Sequence, residues 1–167
     1  IKKFSGEKKF NETNIKTMVP LYDITENKTL MVKSWNSSQL KLSNIIDAAS
    51  AAPGYFPSVE YTEGKWAIDS GVVSNNPSLS AYIEALKIYG TKEDIKIISI
   101  GTGNQSKKPE MGTTEKWGGI EWFAEGQLVD ILSEAPSENE SYLLKILKRP
   151  VLYILSIAVN LSFSSGL

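Results

Sequence analysis

The sequence has no histidine and no cysteine. Without imidazole, these residues cannot assemble a Ser-His-Asp triad or a histidine-ligated metal. Any acid-base work falls to Asp, Glu, Lys or Tyr. Without thiols, disulfides, thiolate nucleophiles and Cys-ligated zinc are excluded as well. Charge of one sign is also lacking: 18 basic and 19 acidic residues leave a net charge of -1. No pull toward nucleic acid or an anionic membrane follows from that balance, and no nucleic-acid partner is expected. Long apolar runs are scarce. The run Val151 to Phe163 has thirteen residues interrupted by Ser156 and Asn160, short of the roughly 20 that a membrane-spanning helix needs. It reads as a buried strand or helix, or else as a segment lying at a membrane interface.

What is present is the composition of one ordinary folded domain: 167 residues, 41% hydrophobic and 22% charged. The chain opens at Ile1 in mid-pattern with no signal-peptide layout, so a piece of something longer is expected. Residues 1–16 are polar and rich in Lys and Asn. Met18 to Thr25 and Thr29 to Trp35 read as two short strands, with Glu26-Asn27-Lys28 as the hairpin turn between them. Pro20 argues that the first is an edge strand. Leu42 to Ala52 is a small-residue helix with Ser43 or Asn44 as N-cap, stopped by Pro53-Gly54.

Trp66-Ala67-Ile68 is a short strand that ends at Asp69-Ser70-Gly71. Asn75-Asn76-Pro77 then signals a helix running to Tyr89, with Ala81, Ala85, Leu86 and Tyr89 near one face and Gly90 as the stop. Ile95 to Ile100 is a β-branched run of the kind found in central strands. Two more helices are expected over Trp117 to Ser133 and Glu138 to Leu147, the first with Trp117, Trp122 and Phe123 on a buried or a lipid-facing side. This alternation predicts an α/β layered sheet.

Asp69 is the candidate for chemistry. An Asp after a strand is most often a turn residue that accepts from its own backbone. A carboxylate at the carboxyl end of a strand also lies where α/β sheets build their sites, and Ser70-Gly71 forces a bend that can project it. Other carboxylates, Asp23, Glu26, Asp47 and Asp130, show no metal-like clustering. Gly101-Thr102-Gly103 through Lys108 fails as a phosphate loop: Ser106 stands where Gly is needed, Lys108 replaces the Mg-binding hydroxyl, and Pro109 follows where a helix should start.

Three stretches resemble the patatin-like phospholipases, which are lipid acyl hydrolases. Ala48-Ala49-Ser50-Ala51-Ala52-Pro53-Gly54-Tyr55-Phe56-Pro57 is similar to the family's A-S-x-A-x-P-x-x-F-P segment. Ile68-Asp69-Ser70-Gly71 with Ser74-Asn75-Asn76-Pro77 is similar to its D-G-G/A motif and N-N-P helix start. Ile97-Ile98-Ser99-Ile100-Gly101-Thr102-Gly103 is similar to its S-L-G-T-G strand. Their order and spacing match too, and Trp117-Gly118-Gly119 and Val129-Asp130-Ile131-Leu132 extend the likeness to about residue 145.

The resemblance implies a three-layer α/β/α sandwich of patatin type and a Ser-Asp dyad. In that dyad Asp69 accepts the proton of a serine hydroxyl attacking an ester carbonyl, and burial can raise the acid's pKa toward working pH. Gly71 would shape the turn; Asn75, Asn76 and Pro77 would start the helix supporting it. No cofactor or metal is called for. The implied partner is a phospholipid or another acyl-ester lipid, with peripheral membrane contact allowed.

Two departures stand out. Ser70 replaces the family's Gly, and a positive φ there would cost a serine roughly 1 kcal/mol or more. None of the twenty serines has glycine at both positions two residues away, so no G-x-S-x-G elbow is present, and the glycine-rich oxyanion loop is absent. The expectation is a patatin-like domain incomplete at its N-terminal side that hydrolyses nothing alone. A non-catalytic relic or binding module on the same scaffold is the second reading, and an unrelated α/β domain the third.

Overall fold

The computed structural model describes residues 5–37, 39–90, 95–101, 112–124, 127–147 and 151–156. The chain divides after Asn75 into two units. Helices and strands are both present throughout, as the expected α/β class requires.

In the first unit, β1 (Met18–Asp23) and β2 (Lys28–Lys33) form an antiparallel hairpin with Met18 opposite Lys33 and Asp23 opposite Lys28. The strand ends at Asp23, two residues before the sequence pattern suggested. The Asp23 carboxylate captures the N–H groups of Thr25 (2.9 Å) and Glu26 (3.0 Å) and turns the chain there. Asn27 completes the turn at φ 53, a left-handed conformation that Asn tolerates.

Two further strands, β3 (Val59–Thr62) and β4 (Lys65–Asp69), complete a four-stranded antiparallel sheet in the order β2-β1-β4-β3. β1 is therefore an inner strand, contrary to the expectation drawn from Pro20. Its pairing with β4 begins only at Leu21, opposite Asp69, so Pro20 sits where β1 has a neighbour on one side alone.

Period-two alternation places Leu21, Val32, Tyr61 and Ala67 on one face, all buried. Helix α1 (Leu42–Ala49) lays Ile45 and Ala48 against that face, and Phe10 closes it. Each fully buried side chain of this size contributes about 1.5–3 kcal/mol. The helix starts from Lys41 with no side-chain cap; Ser43 is buried and bonds Asn44 Oδ1 at 3.3 Å, so neither expected residue is the N-cap.

The second unit opens with α3 (Ser78–Tyr89), followed by β5 (Lys96–Gly101), α4 (Gly119–Ala124), α5 (Gln127–Ile146) and β6 (Val151–Ser156). Between α1 and α3 lies a single helical turn, α2 (Gly71–Ser74), which belongs to the first unit. β6 runs parallel to β5 from Lys96 opposite Val151 to Gly101 opposite Ser156, with the helical segment as the crossover such pairs require. The start of the apolar run after Arg149-Pro150 is thus a strand; residues 157–163 lie outside the described residues. No helix among the described residues is long and apolar enough to cross a membrane.

Candidate functional site around Asp69

Asp69 ends β4 and keeps the parity of buried Ala67, so it stands on the inner face at the rim of the sheet, half-buried. The neighbouring strands are antiparallel, so the rule that sites gather at the carboxyl edge of parallel sheets does not by itself account for its position. What fixes Asp69 is local. Its N–H donates to the Ala51 carbonyl at 3.0 Å, and its Oδ1 accepts from the Gly71 N–H at 2.9 Å. The second bond is the ordinary role of an Asp in a turn. It occupies one oxygen. No hydrogen bond from a described residue reaches Oδ2, and no described Lys pairs with this carboxylate.

The Ala51 bond ties two of the diagnostic stretches together. Just beyond Ala51, the Tyr55 and Phe56 N–H groups both donate to the Ala52 carbonyl, and Gly54 at φ 90 turns the loop outward. Both aromatic rings are exposed, Tyr55 at 77% and Phe56 at 63%.

Ser70 takes φ −88 and ψ 9, so it avoids the left-handed region and incurs none of the strain expected had glycine been needed there. Its carbonyl accepts from the N–H groups of Val73 and Ser74, both at 2.8 Å, which builds α2 directly after the carboxylate. Its hydroxyl is buried without a hydrogen-bond partner among the described residues.

Gly71 has an unremarkable φ as well, and a side chain there would meet its neighbours only at ordinary contact distance. A methyl group on it would lie 3.5 Å from both Asp69 carboxylate oxygens and 3.5 Å from Asn75 Oδ1. Asn75 is exposed and follows α2 in a helical conformation. The sequence pointed to Asn75 only as a helix-start residue; the place of its oxygen beside Gly71 follows from the single turn of α2, which three consecutive residues Val72-Val73-Ser74 did not signal.

Asn76 and Pro77 belong to the second unit. Asn76 Oδ1 accepts from the Ser78 N–H and hydroxyl, while its Nδ2 donates to Ser141 Oγ at 3.0 Å. Pro77 takes the N-cap place, one residue earlier than expected, and α3 begins at Ser78. Ser78 Oγ also lies within hydrogen-bond distance of Ser99 Oγ of β5, at 3.0 Å. Among the described residues no three His, Cys, Asp or Glu side chains gather as a metal site would need. Thr102 and Gly103, the end of the third stretch, lie outside the described residues.

Patatin-like protein 3 of Arabidopsis thaliana is 27% identical to this chain, aligned over 83% of it and 40% of its own length. Patatin-like protein 4 of the same plant is 28% identical over 82% of this chain and 41% of its own length. The chain is a homologue of the patatin-like proteins. A cGAMP-activated phospholipase of Escherichia coli is 29% identical over 68% of this chain and 36% of its own length. No protein-family model matches. The patatin homology spans about 40% of the length of the curated relatives. It agrees with the three stretches that carried the resemblance, two of which meet at the Asp69–Ala51 hydrogen bond.

Proposed function

We propose that this chain carries the proton-accepting part of a lipid acyl hydrolase that works through a Ser-Asp pair, and that it is inactive until a serine-bearing part is supplied. The observation that carries the reading is Asp69 itself: a half-buried carboxylate with one oxygen held by the Gly71 N–H and the other without a partner among the described residues, in a chain with no histidine. A carboxylate fixed at one oxygen keeps its orientation while the second can accept a proton. In the proposed reaction a serine hydroxyl gives its proton to Asp69 as its oxygen bonds to the ester carbonyl carbon. The alcohol of the substrate then leaves with that proton, and the acyl group stays on the serine.

The substrate class is an acyl-ester lipid, a phospholipid in the first instance, supported by the homologue described as a phospholipase. Peripheral contact with a lipid surface suits the exposed Tyr55-Phe56 pair on the loop bonded to Asp69 through Ala51.

The test is an ester assay on p-nitrophenyl substrates and phospholipid vesicles. The chain alone should show no turnover. Adding the G-x-S-x-G-bearing part of a patatin-like relative should restore it, and Asp69→Asn should then lower it by roughly 10² to 10⁴-fold. Hydrolysis by the chain alone that Asp69→Asn abolishes would remove the need for an external serine. Restored hydrolysis indifferent to Asp69→Asn would sink the dyad.

A further inference from the structure

Helix α4 carries a stripe that no step of the proposed reaction uses. Residues three and four apart share a helix face, so Ile120, Phe123 and Ala124 line one side of it. All three are exposed, Ile120 at 82% and Phe123 at 67%. This exposure is not that of a frayed segment. The Trp117 N–H donates to the Thr114 carbonyl at 3.2 Å, and the Trp122 N–H donates to the Gly118 carbonyl at 3.1 Å. The Gly118 N–H donates to Glu121 Oε2 at 2.9 Å. That bond turns the one charged side chain of α4 back over the helix start, where the backbone dipole favours a carboxylate. The apolar stripe is left without a charge. Trp117 and Trp122 meet edge to face at 5.0 Å, half-buried, with part of each residue still in water.

We infer that Ile120 and Phe123 are an anchor that enters the surface of a lipid bilayer, with α4 lying in the plane of the interface. Area argues for a bilayer over a protein partner. A standard protein interface takes about 800 Å² from each side, whereas a phenylalanine supplies roughly 150–250 Å² and an isoleucine less. A bilayer takes apolar side chains singly and needs no matching surface, burying an amphipathic face by about 5–10 Å. The two indoles agree with this, since an apolar body with a polar N–H suits the boundary between headgroups and water. The lipid substrate class proposed above brings a bilayer within reach; the inference rests on that part of the reading and not on the Ser-Asp pair. Charge then defines the kind of surface. Glu115, Lys116 and Glu121 give the segment no basic cluster, so attachment requires no anionic lipid and is insensitive to salt.

Flotation with phosphatidylcholine vesicles tests this on the whole chain. The parent should float with the vesicles, equally at low and high salt. Ile120→Ser combined with Phe123→Ser should weaken partitioning roughly tenfold or more, with a thermal midpoint within a few degrees of the parent. Ile120→Trp, which keeps an apolar side chain at the most exposed position, should bind at least as tightly. A parent that stays in solution overturns the inference, and so does binding that requires anionic lipid or is lost in salt. Weaker binding by Ile120→Trp overturns it too, whatever the serine variant does to folding. If the serine pair leaves vesicle binding intact but disperses oligomers formed without lipid, the stripe belongs to a second copy of the chain and the inference falls. If binding survives the serine pair and disappears in Tyr55→Ser with Phe56→Ser, the anchor is the other loop; the proposed function then stands and this inference does not. Flotation is read without hydrolysis, so a failed Ser-Asp pair leaves the test in force.

Discussion

At Asp23 a fully buried carboxylate is satisfied from three sides: Tyr61 donates its hydroxyl at 2.7 Å, and the N–H groups of Thr25 and Glu26 close the turn. Burial by itself would raise this acid's pKa, but the Tyr61 hydroxyl and the two backbone donors outweigh it and hold the value below the ordinary one. Burial and the adjoining carboxylate push the Tyr61 hydroxyl far above its usual range, so it stays a donor. Removing the phenolic oxygen in Tyr61→Phe leaves a buried charge short of a partner and should cost about 1.5–3 kcal/mol in urea unfolding. The pH dependence follows from the sign of the shift. A folded value below the unfolded one makes the stabilisation complete above about pH 4 and lost as pH falls through the folded value. Stability measured at pH 6 and pH 3 should therefore differ less in Asp23→Asn than in the parent; an equal difference would mean that folding leaves the pKa of this carboxyl unchanged. Asp69 differs in having a single donor among the described residues on the same kind of group. The residue type and its place after a strand were visible in the sequence. Which carboxylate had an oxygen to spare was not, because that depends on partners as distant in the chain as Tyr61 is from Asp23.

Helix α5 runs unbroken from Gln127 to Ile146 with Pro136 in its interior. The sequence pattern suggested two helices ending at Ser133 and resuming at Glu138, since proline lacks the N–H that would bond the carbonyl four residues earlier and its ring crowds that turn. Tertiary contacts override this local preference. Ser137 Oγ donates to the Ser133 carbonyl at 3.2 Å, and Asn76 Nδ2 donates to Ser141 Oγ at 3.0 Å, so the stretch around the proline is tied to itself and to the start of α3. Pro136→Ala should then stabilise the second unit by about 2–3 kcal/mol, read as a raised thermal midpoint with more helical signal; an unchanged midpoint would show that the helix is already broken there. Elements whose ends are set by one residue's own chemistry were legible in this way: Gly90 at φ 83 stops α3, and Asp69 closes β4. Faces and neighbours were not. In α3 the buried residue is Tyr82, while Ala81 and Tyr89 of the expected inner face are exposed. A weakly amphipathic helix can turn either side inward, and the choice is made by what it packs on. Trp117 and Trp122 do meet, edge to face at 5.0 Å, whereas Phe123 points to solvent.

At the scale of the whole molecule, the two units differ in how well they cover their sheets. In the first, α1 and Phe10 close the inner face of four antiparallel strands. In the second, Ile97 and Ser99 lie on the half-buried side of β5, where Ser99 is bonded by Ser78 of α3. The opposite side presents Ile98 at 69% exposure and Ile100 at 65%, and α5 exposes Leu132, Tyr142 and Ile146. Parallel strands are ordinarily covered on both faces, and a contiguous bare apolar surface promotes association. The chain on its own should therefore self-associate at micromolar concentration and bind a hydrophobic dye. Replacing the two residues together, Ile98→Lys with Ile100→Glu, removes apolar area without touching the packed side. Light scattering after size-exclusion chromatography should then show the monomer persisting to concentrations several-fold higher, with a thermal midpoint within a few degrees of the parent. A fall in that midpoint large enough to unfold the second unit would mean that these isoleucines are buried in the folded chain, and that the bare face of β5 does not exist in solution.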